Sequence, residues 1–275
     1  MQKINYGLVV SDFDGTLVSE DGTISQRNKK AIEKYRENGG IFAISTGRLP
    51  NGILPRANEL GLKGAVSCCQ GAVIVDIESK EVIFQDFIKH ETAIKICQAI
   101  TKMDVHMHMY GIWEYYSNKD DAALKKYQST TGTKAKLATD RPFAEILKET
   151  KMNVCKFIVM VPPEDAEKTI QALEAENFED CIITKSAPYL VEVVNARCSK
   201  GTAVQFLANY YQVPIEKSIG VGDQWNDIPM IKAAGLGVAV NNADERLKQA
   251  ADYVSEYTND EGAVGAVIEK YGFTE

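Results

Sequence analysis

Short apolar runs alternate with segments of helical period over much of this chain, and this alternation constrains the fold more than any other feature. The runs are short enough to be strands that are buried on both faces, as in a parallel sheet covered by helices. The clearest runs are residues 6–11, 41–45, 65–69, 190–195, 218–221 and 237–240. The pattern predicts an α/β fold with a doubly wound, Rossmann-like parallel sheet, whose ligand crevice lies beyond the carboxyl ends of the strands.

The alternation is interrupted in the middle of the chain. Residues 86–189 mix helical segments with strands such as 105–110 and 156–161, which is typical of an α+β module. With 275 residues, the chain is long enough for two domains or for one domain with a large insertion. We therefore expect a core made of residues 1–85 and 190–275, interrupted by an inserted cap domain, residues 86–189.

Composition narrows the partners and the compartment. Acidic residues outnumber basic ones, 38 to 31, so the field around the protein repels nucleic acid. No apolar run reaches the length of about 18 residues that a membrane helix needs, and the first ten residues do not resemble a secretion signal. The six cysteines show neither zinc-site spacing nor a disulfide framework. We expect a cytoplasmic monomer or weak homodimer that binds neither membrane nor nucleic acid.

Two carboxylates follow the first predicted strand directly. Because residues two apart on an extended chain point the same way, Asp12 and Asp14 should project together while Phe13 points to the other side. Gly15 then permits a sharp turn. Two like charges this close are unfavourable unless a cation lies between them or one carboxylate is protonated. An ordinary turn also explains an Asp-Gly pair, but it does not explain why other strands end in polar residues too.

Those other strand ends carry groups that suit a phosphate and a cation. Segment 45–48 (Ser-Thr-Gly-Arg) follows the second strand with a hydroxyl and unpaired backbone N–H groups, which suit phosphate oxygens. Lys200 opens a helix after the run 190–195. Segment 222–227 (Gly-Asp-Gln-Trp-Asn-Asp) adds carboxylates after the run 218–221. Each segment alone is a weak signal, and together they predict one site.

Taken in order, these segments resemble the haloacid dehalogenase superfamily of phosphohydrolases, and within it the Cof-type group, which carries a large inserted cap. The resemblance covers essentially the whole chain. Its signatures are residues 12–17 (DFDGTL), 45–48 (STGR), 199–201 (SKG) and 222–227 (GDQWND).

The resemblance implies a role for each catalytic residue. Asp12 is expected to attack phosphorus and form an aspartyl phosphate. Asp14 is expected to protonate the leaving oxygen and later to accept a proton from water, which requires an environment that favours its acid form. Lys200 is expected to place a fixed positive charge beside the nucleophile and the transferred group.

The resemblance also implies a magnesium site and a phosphate site. The carboxylates of Asp12 and Asp223, with the backbone carbonyl of Asp14, are expected to hold Mg²⁺, and Asp227 is expected to orient water on the ion. The phosphate-binding residues implied by the same resemblance are Thr46, the N–H of Gly47, Arg48 and Asn226.

Some features are not explained by the resemblance. Many relatives carry Asn-Gly-Ala after the third strand, where this chain has Gln70-Gly71-Ala72, so substrate contacts cannot be transferred to that position. His106 and His108 lie on one face of a predicted cap strand, a spacing that a metal can use, although a strand surface that is exposed or faces the substrate is the simpler interpretation.

These features predict a Mg²⁺-dependent phosphatase that hydrolyses a small phosphorylated metabolite. Sugar phosphates, phosphorylated cofactors and nucleotide-derived phosphates all remain open. Three alternatives are a phosphomutase with the same intermediate, a phospho-acceptor regulatory protein and an inactive binding protein. The paired Asp12 and Asp14 argue against the second, and the intact set of Asp12, Asp14, Lys200 and Asp223 argues against the third.

Overall fold

The structure, a computed structural model, describes residues 2–19 and 21–274. Residues 1 and 275, the ends of the predicted core, lie outside the described residues. The strands, in chain order, are β1 (Leu8–Ser11), β2 (Ile41–Ile44), β3 (Ala65–Cys68), β4 (Val73–Asp76), β5 (Val82–Gln85), β6 (His106–Tyr110), β7 (Tyr115–Ser117), β8 (Lys136–Leu137), β9 (Lys156–Met160), β10 (Cys181–Ala187), β11 (Leu190–Asn195), β12 (Ser218–Gly222), β13 (Leu236–Ala239) and β14 (Tyr253–Val254).

Helices connect these strands throughout the chain. In chain order they are α1 (Gln26–Glu37), α2 (Pro50–Glu59), α3 (His90–Lys102), α4 (Ala122–Thr131), α5 (Phe143–Thr150), α6 (Ala166–Ala175), α7 (Lys200–Tyr210), α8 (Ile228–Ala233), α9 (Glu245–Ala250) and α10 (Ala263–Tyr271). Within the described ranges, none of them combines the length and the apolar character needed to cross a bilayer.

The core is a parallel sheet with the strand order β14-β13-β12-β1-β2. β1 lies in the middle, paired in parallel with β12 on one side and β2 on the other, and its four residues are buried. Burial on both faces explains why these strands are mostly apolar. The α/β fold with a doubly wound sheet is thereby confirmed.

Beyond β2 the core continues into a second, antiparallel sheet with the order β3-β4-β5. A parallel bridge between Ser45 and Ser67 joins the end of β2 to β3. β4 and β5 form an antiparallel hairpin, and the segment that contains Gln70 turns directly beside the carboxyl end of β2, where the N–H of Gln70 donates to the carbonyl of Thr46.

The cap contains a six-stranded sheet with the order β10-β11-β9-β6-β7-β8. Side chains that alternate along its strands point to opposite faces. One face packs on the cap helices through residues such as Met107, Phe157 and Val193. The other face carries polar side chains, among them His108 and Lys156, which are buried.

One sequence prediction about the core is wrong. The run 190–195 was predicted as a core strand, but β11 pairs with β9 and β10 in the cap sheet, with Leu190 opposite Met160. A strand that is buried on both faces looks the same in either sheet, so its sequence does not identify its neighbours. The boundary predicted between residues 189 and 190 therefore separates two paired cap strands, and the chain returns to the core at α7.

Candidate active site

Asp12 lies where β1 ends at the edge of the core sheet. Its N–H donates to the carbonyl of Val221 at 2.9 Å, which extends the pairing with β12 by one residue. Its carboxylate is 6% exposed and accepts a hydrogen bond of 2.5 Å from the ammonium of Lys200. Lys200 is the first residue of α7, where Ser199 caps the helix by accepting from the N–H of Thr202. The N-cap residue Ser199 therefore fixes the start of α7, from which the side chain of Lys200 reaches Asp12.

The loop after β12 is held together by Asp227. One carboxylate oxygen of Asp227 accepts from Lys200 at 2.6 Å, and the other accepts from the N–H groups of Asp223 and Gln224 at 2.9 and 3.0 Å. One oxygen of Asp227 therefore binds Lys200, and the other binds the backbone of the loop. This arrangement positions Asp223 through the backbone of its own loop.

Asp223 reaches the loop after β1 because Gly15 leaves room for it. Gly15 has a φ of +78°, and a Cβ atom at this position would lie 2.5 Å from an oxygen of Asp223. The next residue, Thr16, donates its hydroxyl to Asp223 at 2.8 Å. The glycine after the two aspartates is thus required both for the turn and for the close approach of the second carboxylate loop.

Three buried carboxylates meet at this point with one ammonium group. Across residues 2–19 and 21–274, the group of His, Cys, Asp or Glu side chains close enough to share an ion is Asp12, Asp223 and Asp227, whose ligand atoms lie within 4.8 Å of one another. Burial raises the pKa of Asp12 well above its usual range, against the attraction of Lys200. Burial and then the charge of Asp227 raise the pKa of Asp223 to about 7. Burial acts to lower the pKa of Lys200, but the two carboxylates that it contacts outweigh burial and raise it.

A bound cation would relieve the excess of negative charge in this site. Three carboxylates and one ammonium leave an excess of negative charge in a buried site, and the donors are oxygens, which hard divalent ions prefer. The residues present therefore fit a hard cation such as Mg²⁺.

The side chain of Asp14 does not join this cluster. Its carboxylate is bound by Arg48, which donates from Nε at 2.8 Å and from a terminal nitrogen at 2.6 Å. Arg48 is 9% exposed and also donates to the carbonyls of Thr130 and Thr131, at the end of α4 in the cap. The partner of Arg48 is thus a core aspartate together with cap carbonyl groups, and no acidic cap residue is bound to it in the described part of the chain.

The loop after β2 forms the opposite wall. The N–H of Thr46 donates to the carbonyl of Ser67, and its hydroxyl accepts from the N–H of Arg48 at 3.2 Å. Gly47 faces the cap so closely that a Cβ atom there would lie 2.8 Å from Nε2 of Gln70 and 3.1 Å from Nζ of Lys156. A side chain at position 47 would therefore require Gln70 of a neighbouring core loop and Lys156 of the cap to shift.

A cavity of about 130 Å³ lies between the core and the cap. Of the predicted site residues it is lined by Asp12, Asp14, Thr46, Gly47, Arg48, Lys200 and Asn226. Asp223 and Asp227 lie behind it, where they contact Thr16 and Lys200. A larger cavity of about 830 Å³ in the cap contains none of these groups and shares only Tyr127 and Tyr189 with the smaller one.

Sequence reasoning left the role of Gln70 open and missed the cap residues of this cavity, among them Lys156 and Ser186. Lys156 is 1% exposed. A signal was present, because Lys156 begins the apolar strand β9 and Glu192 interrupts the apolar strand β11. A charged side chain inside a buried strand needs a partner, and that partner is identified only by the fold.

The histidines of β6 lie apart from the carboxylate cluster. Within the residues that the structure describes, His106 and His108 belong to no group of three potential ligands. Both are buried, and their Nε2 atoms lie 3.1 Å apart. Of the simpler interpretation, an exposed strand surface is therefore wrong, and a surface that faces the substrate stays a prediction.

Comparison with known proteins identifies the family to which this chain belongs. The sequence model of the haloacid dehalogenase-like hydrolase family matches residues 9–268. A Haemophilus influenzae protein named "Putative phosphatase" is 30% identical, over 97% of this chain and 98% of that protein. A Bacillus subtilis protein named 5-amino-6-(5-phospho-D-ribitylamino)uracil phosphatase is 26% identical, over 97% and 96%. The crystal structure of a haloacid dehalogenase-like hydrolase from Bacteroides thetaiotaomicron is 28% identical, with a TM-score of 0.81 over 96% of this chain and 99% of that one.

Proposed function

This chain belongs to the haloacid dehalogenase-like hydrolases and is a phosphatase, and on that premise we propose that it hydrolyses a small phosphorylated metabolite with Mg²⁺ through an aspartyl phosphate on Asp12. The observation that carries the proposal is the ammonium of Lys200 between Asp12 and Asp227, at 2.5 and 2.6 Å, in a small cavity at the carboxyl ends of parallel strands. A carboxylate held in this way is positioned to attack a phosphoryl group.

In the proposed first step, a carboxylate oxygen of Asp12 forms a bond to phosphorus while the bond between phosphorus and the ester oxygen breaks. Asp14 donates a proton to the departing oxygen. In the second step Asp14 takes a proton from water, which attacks phosphorus and releases inorganic phosphate and free Asp12. Lys200 keeps a positive charge beside Asp12 through both steps, because its pKa is raised.

The proposed metal ligands are the carboxylates of Asp12 and Asp223 and the backbone carbonyl of Asp14. When bound there, Mg²⁺ neutralises charge on the phosphoryl oxygens. Asp227 contributes by holding the N–H groups of its loop and Lys200, and through them the position of Asp223.

Arg48 connects substrate binding to the proton donor. Asp14 is half-exposed and paired with Arg48, so it must leave the guanidinium before it can carry a proton. A phosphoryl group offers the guanidinium the same two-oxygen geometry as a carboxylate. In this proposal the substrate phosphate binds Arg48, with Thr46, the N–H of Gly47 and Asn226 nearby, and releases Asp14.

The same residues bear on the alternatives. A phosphomutase would share the intermediate, and the two are distinguished by whether free phosphate appears. A phospho-acceptor protein has no use for a proton donor beside its aspartate. We also propose a reducing, cytoplasmic environment, which the free thiols of all six cysteines support.

The test is phosphate release from a panel of phosphomonoesters, with and without metal. Release should stop in chelator and return when Mg²⁺ is added. Asp12→Asn should abolish release while leaving the circular dichroism spectrum and the melting temperature close to those of the wild type. Release that persists in chelator, or that survives in Asp12→Asn, contradicts the mechanism, and transfer between hydroxyls without free phosphate indicates a mutase.

A further inference from the structure

A buried ion pair in the cap faces the catalytic cavity. Lys156 on β9 and Glu192 on β11 are each 1% exposed, and Nζ of Lys156 lies 3.0 Å from Oε1 of Glu192. Ser186 donates to the same oxygen at 2.5 Å. A charged pair inside an apolar sheet is unfavourable unless its remaining polar atoms are satisfied, so the partners of these two side chains are informative.

The pair continues across the boundary between cap and core. Nε2 of Gln70 donates to Oε2 of Glu192 at 2.9 Å, and Nδ2 of Asn226 donates to Oε1 of Gln70 at 3.0 Å. One hydrogen-bonded chain therefore joins β11 of the cap to the loop after β3 and to the loop after β12. Gln70 has a φ of 61°, which is uncommon for a residue other than glycine and turns its side chain into this gap.

The carboxylate of Glu192 sets the orientation of both amides. A carboxylate only accepts hydrogen bonds, so Gln70 must present its NH₂ group to Glu192 and its carbonyl oxygen to Asn226. Asn226 must then present its own NH₂ group to Gln70. This leaves Oδ1 of Asn226 as a buried acceptor, for which the described part of the chain supplies no donor.

The cavity consequently offers hydrogen bonds on its cap side without excess positive charge. Among the described residues, the cations that line it are Arg48, Lys156 and Lys200, and each is paired with a carboxylate. Lys156 lies against the phosphate-binding loop, since a Cβ atom on Gly47 would be 3.1 Å from its Nζ. An anionic group on the leaving alcohol would be repelled by two groups. One is the carboxylate of Glu192, which lies behind Lys156, and the other is Oδ1 of Asn226, for which the described residues supply no donor.

We propose that Lys156 is a specificity-determining residue, held by Glu192 and Gln70, that selects phosphate esters with a neutral, hydroxyl-bearing leaving group and rejects those with an anionic one. This inference rests on the proposed phosphatase function. Lys156 donates to a hydroxyl of the leaving group, and Asn226 accepts from one. Glu192 and Gln70 are positioning residues that keep the donor and the acceptor in place and cancel the charge of Lys156.

Glycerol 3-phosphate and 3-phosphoglycerate test this inference, because they differ in a hydroxymethyl group against a carboxylate. Each is scored by kcat/KM, or by its inhibition constant against p-nitrophenyl phosphate hydrolysis if it is not turned over. The wild type should prefer glycerol 3-phosphate by about tenfold or more, the effect of one unfavourable charge contact. A preference for 3-phosphoglycerate, or no binding of either ester, overturns the inference.

Variants of the ion pair sharpen the test. Glu192→Gln leaves the charge of Lys156 uncompensated, so the selectivity ratio should shift by about tenfold or more towards 3-phosphoglycerate. The double variant Lys156→Met with Glu192→Met replaces the buried pair by apolar side chains, a change that folds tolerate, and should bring the ratio close to one. Lys125→Met, an exposed cap lysine, is the matched control and should leave the ratio unchanged.

The possible outcomes separate the two proposals. If the wild type releases no phosphate from p-nitrophenyl phosphate or any other ester, the proposed function fails. If it hydrolyses p-nitrophenyl phosphate but the ratio is the same in the wild type, Glu192→Gln and the double variant, the function stands and the role of Lys156 is rejected. A loss of fold in Glu192→Gln leaves the decision to the double variant.

Discussion

Protonation of His108 should destabilise the cap as the pH falls. His108 is fully buried on β6, with the rings of Tyr115 and Tyr127 each 5.0 Å away between centroids. Nε2 of His108 lies 3.1 Å from Nε2 of His106, which also lies 3.0 Å from the hydroxyl of Ser117, while Nδ1 of His106 faces Asp121 at 3.1 Å. Burial lowers the pKa of His106 as well.

The size and the sign of the effect follow from the pKa of His108. Burial, and then the nearby His106 and Lys156, lower that pKa from 6.5 to about 3. The unfolded chain therefore binds a proton at pH values where the folded cap does not, so the free energy of unfolding falls as the pH drops below 6.5. At pH 5 the loss is about 2 kcal/mol, from about 1.4 kcal/mol for each pH unit between the unfolded pKa and the working pH.

Urea unfolding at pH 7.5 and pH 5, in the wild type and in His108→Phe, measures this loss. Phenylalanine keeps an aromatic ring among its neighbours and removes both the titration and the unpartnered Nδ1 atom. The comparison between the two proteins matters because Asp223, with a raised pKa, acts in the opposite direction between pH 7 and pH 4 in both of them. The wild type should lose about 2 kcal/mol more than the variant between the two pH values.

Equal pH dependence of the two proteins refutes this reasoning. It would mean that His108 does not resist protonation in the folded cap. A His108→Phe variant that is already several kcal/mol less stable at pH 7.5 would show that the hydrogen bond to His106 outweighs the ring contacts, and would leave the pH slopes as the deciding measurement.

Two further predictions concern the contact between cap and core. Asp14→Asn should lower kcat more on alkyl phosphates than on p-nitrophenyl phosphate, because only a poor leaving group needs the proton; equal losses on both argue against Asp14 as the acid. Arg48→Met removes the ion pair with Asp14 and the hydrogen bonds to Thr130 and Thr131. In the proposed mechanism the substrate phosphate replaces Asp14 on Arg48, and a hydrogen bond to a charged group contributes about 2 kcal/mol. The variant should therefore raise KM by roughly 30-fold and, through the lost contacts with α4, speed tryptic cleavage of the cap. An unchanged KM excludes Arg48 from phosphate binding, and an unchanged cleavage rate excludes it from holding the cap.

Much of the site could be predicted because its residues follow strands. The sequence places Asp12, Thr46 and Asp223 directly after three apolar runs, and the carboxyl ends of parallel strands meet at one edge of a sheet. The structure brings the corresponding loops to one cavity and the carboxylate cluster behind it. Strands and the turns after them depend on side-chain alternation and turn preferences over a few residues. The position of these polar residues at strand ends can therefore be predicted from neighbouring residues alone.

Other features depend on partners that are remote in the sequence. The run 190–195 pairs with cap strands, although nothing in its apolar pattern separates a cap strand from a core strand. Asp14 projects from the same turn as Asp12 but binds Arg48 instead of joining the cluster.

The chain by itself determined which segments become strands and which polar groups follow them, because the period of side chains and the preferences of turns act over a few residues. Only the tertiary structure decided that Gln70 meets Glu192, 122 residues further along, and that Lys156 faces the loop after β2. A buried charge or amide is stable only with a partner, but which partner comes within about 3 Å depends on how the core and cap sheets pack against each other.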